Sequence, residues 1–394
     1  MNNKEKVINN YKDFINFSKN IFNNKTVNSY DCEYSYTNKT FKIQDYLVYN
    51  IESQAINNFF REWFEEDEKQ LFVFTNKENN YQFLCNNIIL DILLTAEVCK
   101  EKHIALNREF KLTCKNGKIR DIIAPCDEIK GLLQDLNGVL QLVYDWKNND
   151  FQVAYKKTKS IKDNAKSHSW NNHIFKIDLH NFFPSCKKVY VEKYIRFLFN
   201  NTINSDFLEN KFLDAILHDD ALFIGSPISG TLANRIIAAP VLFMKRICDK
   251  FNISFSVYAD DMTFSSSKYL NKQFVIDIFN RAFIKYNMDI DFTLNEKKCY
   301  GASHNKRCIT GVVINHNNEL TCHRYMYQKI RQTLYQLSKA DESHFNYNKL
   351  CGNIAYASMV DSSGKIVRLL QKYKATVLKY KLVTAEKLNS LGVN

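Results

Sequence analysis

The feature that most limits what this chain can fold into is an alternating run broken by two adjacent acids. Ile253, Phe255 and Val257 interleave with Ser254 and Ser256, followed by Tyr258-Ala259-Asp260-Asp261 and the apolar run Met262-Thr263-Phe264. A period of two is the pattern of a half-buried strand, and with no Gly or Pro between the runs the segment reads as a hairpin with both aspartates at its tip. Two carboxylates about 4 Å apart repel by roughly 1 kcal/mol in water and by more where water is scarce. A partly buried pair therefore calls for a cation, and an all-oxygen site of this kind suits Mg²⁺ and phosphoryl transfer. A solvated acidic turn is the other reading of a bare Asp-Asp pair.

The chain has 394 residues, enough for a large core and roughly two to four lobes. Its 54 Lys and Arg against 42 Asp and Glu give a formal charge of +12, which suits a polyanionic partner but is weak evidence by itself. The 11 cysteines form no Cys-x-x-Cys and no Cys/His cluster of zinc spacing, which argues for a reducing compartment rather than a disulfide framework. The N-terminal Met-Asn-Asn-Lys-Glu-Lys lacks the apolar core of a signal peptide, and no apolar run approaches 18 residues. The expectation is a cytoplasmic protein with no membrane partner. Gly and Pro are absent before Gly117, and the prolines (Pro125, Pro184, Pro227, Pro240) all fall in the central chain, so special backbone geometry is concentrated there.

Residues 1–105 read as a helical extension, with Ile51, Ala55, Phe59 and Trp63, and again Ile88, Ile89, Ile92, Leu93 and Ala96, at helical spacing. Glu65-Glu66-Asp67-Glu68 is most simply a solvated helix end. From Phe110 to Pro125, apolar alternation around Asn116-Gly117 gives a β-hairpin signal, with Lys115 and Arg120 placed to reach one anion or simply to face solvent. Residues 153–170 carry Lys156, Lys157, Lys159, Lys162 and Lys166 with Tyr155 and Trp170 interleaved, which suits either a phosphate-tracking surface or an exposed basic loop. In Phe175-Lys176-Ile177-Asp178-Leu179 the apolar residues share one strand face and Asp178 takes the other. It thus offers a third carboxylate.

Leu222 to Gly230 form a loop whose Gly225 and Gly230 allow a tight turn or close approach to a ligand, and an apolar helix follows from Thr231 to about Cys248. Cys308 to Asn315 read as one strand. The tail is helical, and residues 365–394 set seven Lys and Arg against the single acid Glu386, a basic amphipathic surface for a duplex or for solvent.

Taken in order, the set resembles a reverse transcriptase: a hairpin with Lys115 and Arg120, Asp178 followed by Phe183, the Gly225–Gly230 loop opening a helix, Tyr258-Ala259-Asp260-Asp261, then Lys298. The resemblance spans about residues 107–370. A narrower similarity is to bacterial retron reverse transcriptases, through Asn164-Ala165-Lys166-Ser167-His168, Ile309-Thr310-Gly311 and Leu350-Cys351-Gly352-Asn353-Ile354-Ala355-Tyr356. Three features depart from it: the loop has Ile224 for the family's Gln and Gly230 for its last Pro, Ile309 stands for the Val of Val-Thr-Gly, and the extension before residue 106 is long.

The resemblance implies an α+β right hand: a helical N-terminal extension (1–105), fingers (106–175), a ferredoxin-like palm (176–314, with finger helices interleaved at about 189–220) and a basic helical thumb (315–394). It implies an RNA-directed DNA polymerase in which Asp178, Asp260 and Asp261 gather two Mg²⁺ ions, or Mn²⁺ in their place. Lys115 and Arg120 clamp the dNTP triphosphate, Phe183 screens the sugar, Gly225 lies near the nucleotide, and Lys298 gives a proton or counter-charge to pyrophosphate. The retron similarity further implies that Asn164, His168, Ile309, Thr310 and Gly311 recognise a structured non-coding RNA that is both template and primer, giving an RNA–DNA duplex, with an effector protein as a further partner in phage defence; His168 at this spacing reads equally as a satisfied structural histidine. The other readings are a protein-primed defence enzyme of a different class and a binding scaffold with a vestigial centre.

Overall fold

The computed structural model describes residues 33–36, 39–42, 76–113, 117, 119–143, 149–199, 206–303, 307–340 and 345–393. In chain order they begin with β1 (Glu33–Tyr36), β2 (Lys39–Lys42), α1 (Asn76–Glu101), β3 (Asn107–Thr113), β4 (Ile119–Pro125), α2 (Asp127–Val143) and α3 (Ile161–Lys166). β5 (His173–Asp178), α4 (Phe182–Ser185), α5 (Lys188–Phe199), α6 (Asp206–Ile216), α7 (Ser229–Ile236) and α8 (Ala238–Lys250) follow. Then come β6 (Ser254–Tyr258), β7 (Asp261–Ser266), α9 (Lys272–Lys285), a 3₁₀ turn (Glu296–Lys298), β8 (Tyr300–Ser303), β9 (Cys308–Ile309), β10 (Val312–Ile314) and β11 (Leu320–Thr321). The chain closes with α10 (Arg324–Ser338), α11 (Tyr347–Val360), α12 (Lys365–Lys372), α13 (Lys374–Lys379) and α14 (Ala385–Ser390).

These elements form two compact units, Met1–Asp150 with Asn181–Ala239, and Phe151–His180 with Pro240–Asn394. The linear divisions expected at 105, 175 and 314 are not where this partition falls. The strand bearing Asp178 groups with the hairpin bearing Asp260 and Asp261, because it is hydrogen-bonded to it, and the C-terminal helices belong to that same unit.

In the first unit, α1 packs on α2, α5 and α6, and α2 packs on α7. Ile88, Ile89 and Ile92 from α1 and Leu133, Leu136 and Leu140 from α2 are wholly buried, each side chain contributing ~1.5–3 kcal/mol by leaving water. The hairpin β3–β4 has the expected place and a turn glycine at φ +79°, Gly117. Helix alone is expected before residue 106, but β1 and β2 pair antiparallel with Tyr34 opposite Phe41. Their Tyr, Thr and Phe favour strands over helix. The pattern at Ile51, Ala55, Phe59 and Trp63 lies outside the described residues.

The second unit is built on a four-stranded antiparallel sheet in the order β6-β7-β5-β8. The register aligns Phe175, Phe264 and Phe255 in one row, and Ile177, Met262 and Val257 in the next row on the same face. These two rows are entirely apolar, with the Phe255 and Phe264 rings 4.8 Å apart. A second core joins Ile309, Val312, Ile314 and Leu320 of the three-stranded sheet β11-β10-β9 to α10–α14, and takes in Ile174 from β5 and Ala165 from α3.

Candidate active site

On the other face of the palm-like sheet, the register sets Asp178 opposite Asp261 and Asp261 opposite Tyr258. The next row is Lys176, Thr263 and Ser256. Because side chains of directly paired residues share a face, Asp178 and Asp261 are delivered side by side by strand pairing alone. Asp260 sits in the two-residue turn between β6 and β7, where Ala259 has φ +58°. A non-glycine residue in the left-handed region costs roughly 1–2 kcal/mol, and such strain concentrates at functional turns. Backbone bonds brace the carriers: the Leu179 amide donates to the Asp260 carbonyl at 3.0 Å, and the Asn295 amide donates to the Asp178 carbonyl at 2.8 Å.

That second bond also fixes the approach of Lys298, which ends the 3₁₀ turn begun at Glu296. Its ammonium donates to Asp178 Oδ2 at 2.9 Å and lies 2.8 Å from Oδ1 as an ion pair, and the Asp178 hydrogen bond holds its pKa above the ordinary lysine value. Burial pushes the Asp260 carboxyl up, and the Asp261 and Asp178 charges add to this against Lys298. Burial likewise raises Asp261, with Lys176 and Lys298 opposing and Asp178 reinforcing. The all-oxygen donor set of the three carboxylates and the two disfavoured charges fit a divalent cation, which would relieve both.

The profile of the family described as "Reverse transcriptase (RNA-dependent DNA polymerase)" matches residues 107–341, a span that contains every element of this centre. The chain belongs to the reverse transcriptases. It is 30% identical over 266 residues to the Retron Ec73 reverse transcriptase of Escherichia coli, covering 64% of this chain and 83% of that one. It is 25% identical over 283 residues to the Retron Ec83 reverse transcriptase of the same organism, covering 68% and 88%. Among solved structures, apo telomerase from Candida tropicalis aligns at 12% identity and TM-score 0.44, over 72% of this chain and 58% of that one. The chain is thus an RNA-directed DNA polymerase with an RNA template and a divalent-metal requirement, similar to the retron enzymes, and its fold is the right hand of that family. Among the described residues, no helix is long and apolar enough to cross a membrane.

In this reverse transcriptase the residues expected at the nucleotide are placed as follows. Lys115 lies outside the described residues; Arg120 is on β4 with its Cα opposite Leu112. Gly225 adopts φ +118°, and a Cβ there would fall 2.0 Å from the Ile123 carbonyl oxygen. The Ile123 amide donates to the Ile224 carbonyl at 3.1 Å, so the loop is stitched to β4 by backbone. Phe183 is half-buried on the one-turn helix α4, its ring 5.5 Å from that of buried Phe182.

The five residues expected to meet an RNA are divided between core and surface. His168 is wholly buried, its Nδ1 2.7 Å from the Ser265 hydroxyl and its Nε2 2.7 Å from the Ser256 hydroxyl. It therefore offers no ring atom to an RNA; it fastens the end of α3 to β6 and β7. Asn164 is also wholly buried, its amide donating to the Thr310 hydroxyl at 3.4 Å, and Ile309 is in the second core. Cys308 to Asn315 do not form one strand, because Thr310 and Gly311 make a two-residue turn with φ +46° and +85° between β9 and β10. That pair of positive angles is the hairpin turn matching strand twist. Only Thr310 and Gly311 of the five reach the surface.

His168 also explains why β6 is buried on both faces rather than half-buried: Ser256 is 1% exposed because an imidazole satisfies it. Two contributors were not read from the sequence. Lys176 shares the Asp178 face, which the strand period could have shown, and its charge acts on Asp261. Arg307 is 1% exposed and donates to the carbonyls of Ser169, Asn171 and Asn315 and to the Asn318 side chain. It clamps the residues after α3 to the β10–β11 turn, and no local sequence signal marks it.

Proposed function

We propose that this reverse transcriptase is of retron type. It copies a cognate structured non-coding RNA into DNA, starts from a 2′-hydroxyl of that RNA to give branched RNA–DNA, and serves anti-phage defence together with an effector protein. The observation that carries this reading is the 30% identity to a retron enzyme over 83% of its length. The 25% identity to a second retron enzyme over 88% of its length supports it.

Asp178, Asp260 and Asp261 would hold two Mg²⁺ ions, with Mn²⁺ as a substitute. Such ions, when bound, activate the primer hydroxyl and neutralise the departing pyrophosphate. Lys298 carries a proton next to Asp178 at neutral pH and is the chain's donor for the leaving group. Lys115 and Arg120 would grip the triphosphate, Arg120 through paired hydrogen bonds. The backbone at Gly225 offers a surface without side-chain bulk to the nucleotide, and Phe183 would press on the sugar and disfavour a 2′-hydroxyl. Thr310 and Gly311 are the recognition residues with surface to offer an RNA.

Sequencing the nucleic acid that co-purifies tests the reading. Branched RNA–DNA from one structured RNA is expected; linear DNA with a free or protein-linked 5′ end would replace it with a differently primed defence enzyme. The Asp260→Asn, Asp261→Asn double variant should fold and lose extension of a primed RNA with Mg²⁺, and extension by the folded variant would remove the aspartates from metal binding.

A further inference from the structure

Away from the aspartates, the described residues hold one trio of metal-ligating side chains whose ligand atoms all lie within 4.8 Å of one another: the thiols of Cys99 and Cys126 and the carboxylate of Glu128. We propose that this trio binds a thiophilic divalent cation of the zinc class, forming a structural clip at the base of the β3–β4 hairpin.

The position in the fold is the first argument. Cys99 is in the last turn of α1, Cys126 immediately precedes α2, and Glu128 is the second residue of α2. The whole hairpin, Asn107 to Pro125, leaves and returns between the two thiols. Backbone bonds already hold the ligand carriers: Ile104 donates to the Cys99 carbonyl and Cys126 donates to the Leu106 carbonyl, both at 2.8 Å. The ligand carriers are thus fixed by main chain rather than by a mobile loop, as a preorganised site requires.

Ligand chemistry is the second. Two thiolates and a carboxylate are a soft-to-borderline set that selects Zn²⁺ over Mg²⁺ or Ca²⁺. The cysteines are 1% and 3% exposed while Glu128 faces solvent, so the carboxylate is the ligand on the solvent side. Charge is the third: two thiols and a carboxylate converge within 4.8 Å of one another, and a bound cation would take the thiols as thiolates and offset the negative charge so gathered.

The test uses the full chain, stripped of metal under reducing conditions and titrated with Co²⁺ as a spectroscopic probe. One Co²⁺ per chain should give a near-ultraviolet thiolate-to-metal charge-transfer band, which the catalytic aspartates cannot produce, and Zn²⁺ should bleach it. Cys99→Ser and Cys126→Ser should each abolish the band. Glu128→Gln changes an exposed side chain, leaves the core untouched, and should weaken Zn²⁺ by at least about tenfold, the smallest loss usual when a metal's surroundings are altered. If a cysteine variant fails to fold, Glu128→Gln decides alone. Absence of the band in the parent, a band unchanged in the folded variants, unchanged Zn²⁺ affinity in Glu128→Gln, or a Cys99–Cys126 disulfide in the protein from reducing cells would overturn the proposal.

Discussion

Acid should loosen the catalytic hairpin through one residue, His168. Its imidazole is buried between Ser265 and Ser256, and burial, with the Lys176 charge adding, lowers its pKa from 6.5 to about 3. A neutral ring can donate from one nitrogen and accept at the other, whereas an imidazolium must donate from both. The unfolded chain therefore takes up a proton near pH 6.5 that the folded chain refuses until about pH 3. Since the unfolded state binds more protons in that window, stability is full above pH 6.5 and falls as pH drops, by ~1.4 kcal/mol per unit. At pH 5 the loss is ~2 kcal/mol from this residue. Urea unfolding at pH 7.5 and pH 5, compared between the parent and His168→Gln, isolates the term, because Gln keeps a donor and an acceptor but does not titrate. The parent should lose ~2 kcal/mol more than the variant across that interval. Equal losses would refute the buried neutral imidazole.

Three further outcomes are expected. Gly225→Ala should cost at least ~2 kcal/mol in urea unfolding, because the new Cβ meets the Ile123 carbonyl oxygen at 2.0 Å and φ is +118°; unchanged stability would show the loop free to move off β4. Lys298→Gln removes the ammonium that occupies both Asp178 oxygens, so Mn²⁺ binding measured by water proton relaxation should tighten. It should also tighten with rising pH, since the raised Asp260 and Asp261 carboxyls must lose their protons to bind; weaker binding in the variant would make Lys298 a support of the metal site rather than a competitor. Phe183→Ala should admit ribonucleotides in primer extension, and unchanged dNTP selectivity would withdraw its role at the sugar.

Much of the catalytic strand arrangement was legible because it is periodic. A strand side chain's face is fixed by counting, so Asp178 separates from Phe175 and Ile177 in the sequence itself, and Gly117 and Asp260-Asp261 mark the tips of their hairpins. The same count places Lys176 beside Asp178. His168 was not legible in this way. A histidine at this spacing reads as an RNA contact or as a satisfied structural histidine, and only the arrival of Ser256 and Ser265 from strands some ninety residues away makes it core. Thr310 offered no turn signal either, because β-branched residues avoid positive φ, yet the Asn164 and Tyr356 contacts around Thr310-Gly311 accompany it there.

The sequence by itself determined the chemistry: three carboxylates, their order, the strand faces they take and the family whose residues 107–341 carry them. Tertiary structure decided which polar residues face solvent and which serve as fasteners. It buried Asn164, His168 and Arg307, put Lys298 on Asp178, and drew Cys99 and Cys126 together across the hairpin. The physical reason is range. Strand period and turn chemistry act over a few residues and are written locally, whereas the partner that satisfies a buried polar group lies far along the chain and is known only once the strands have paired.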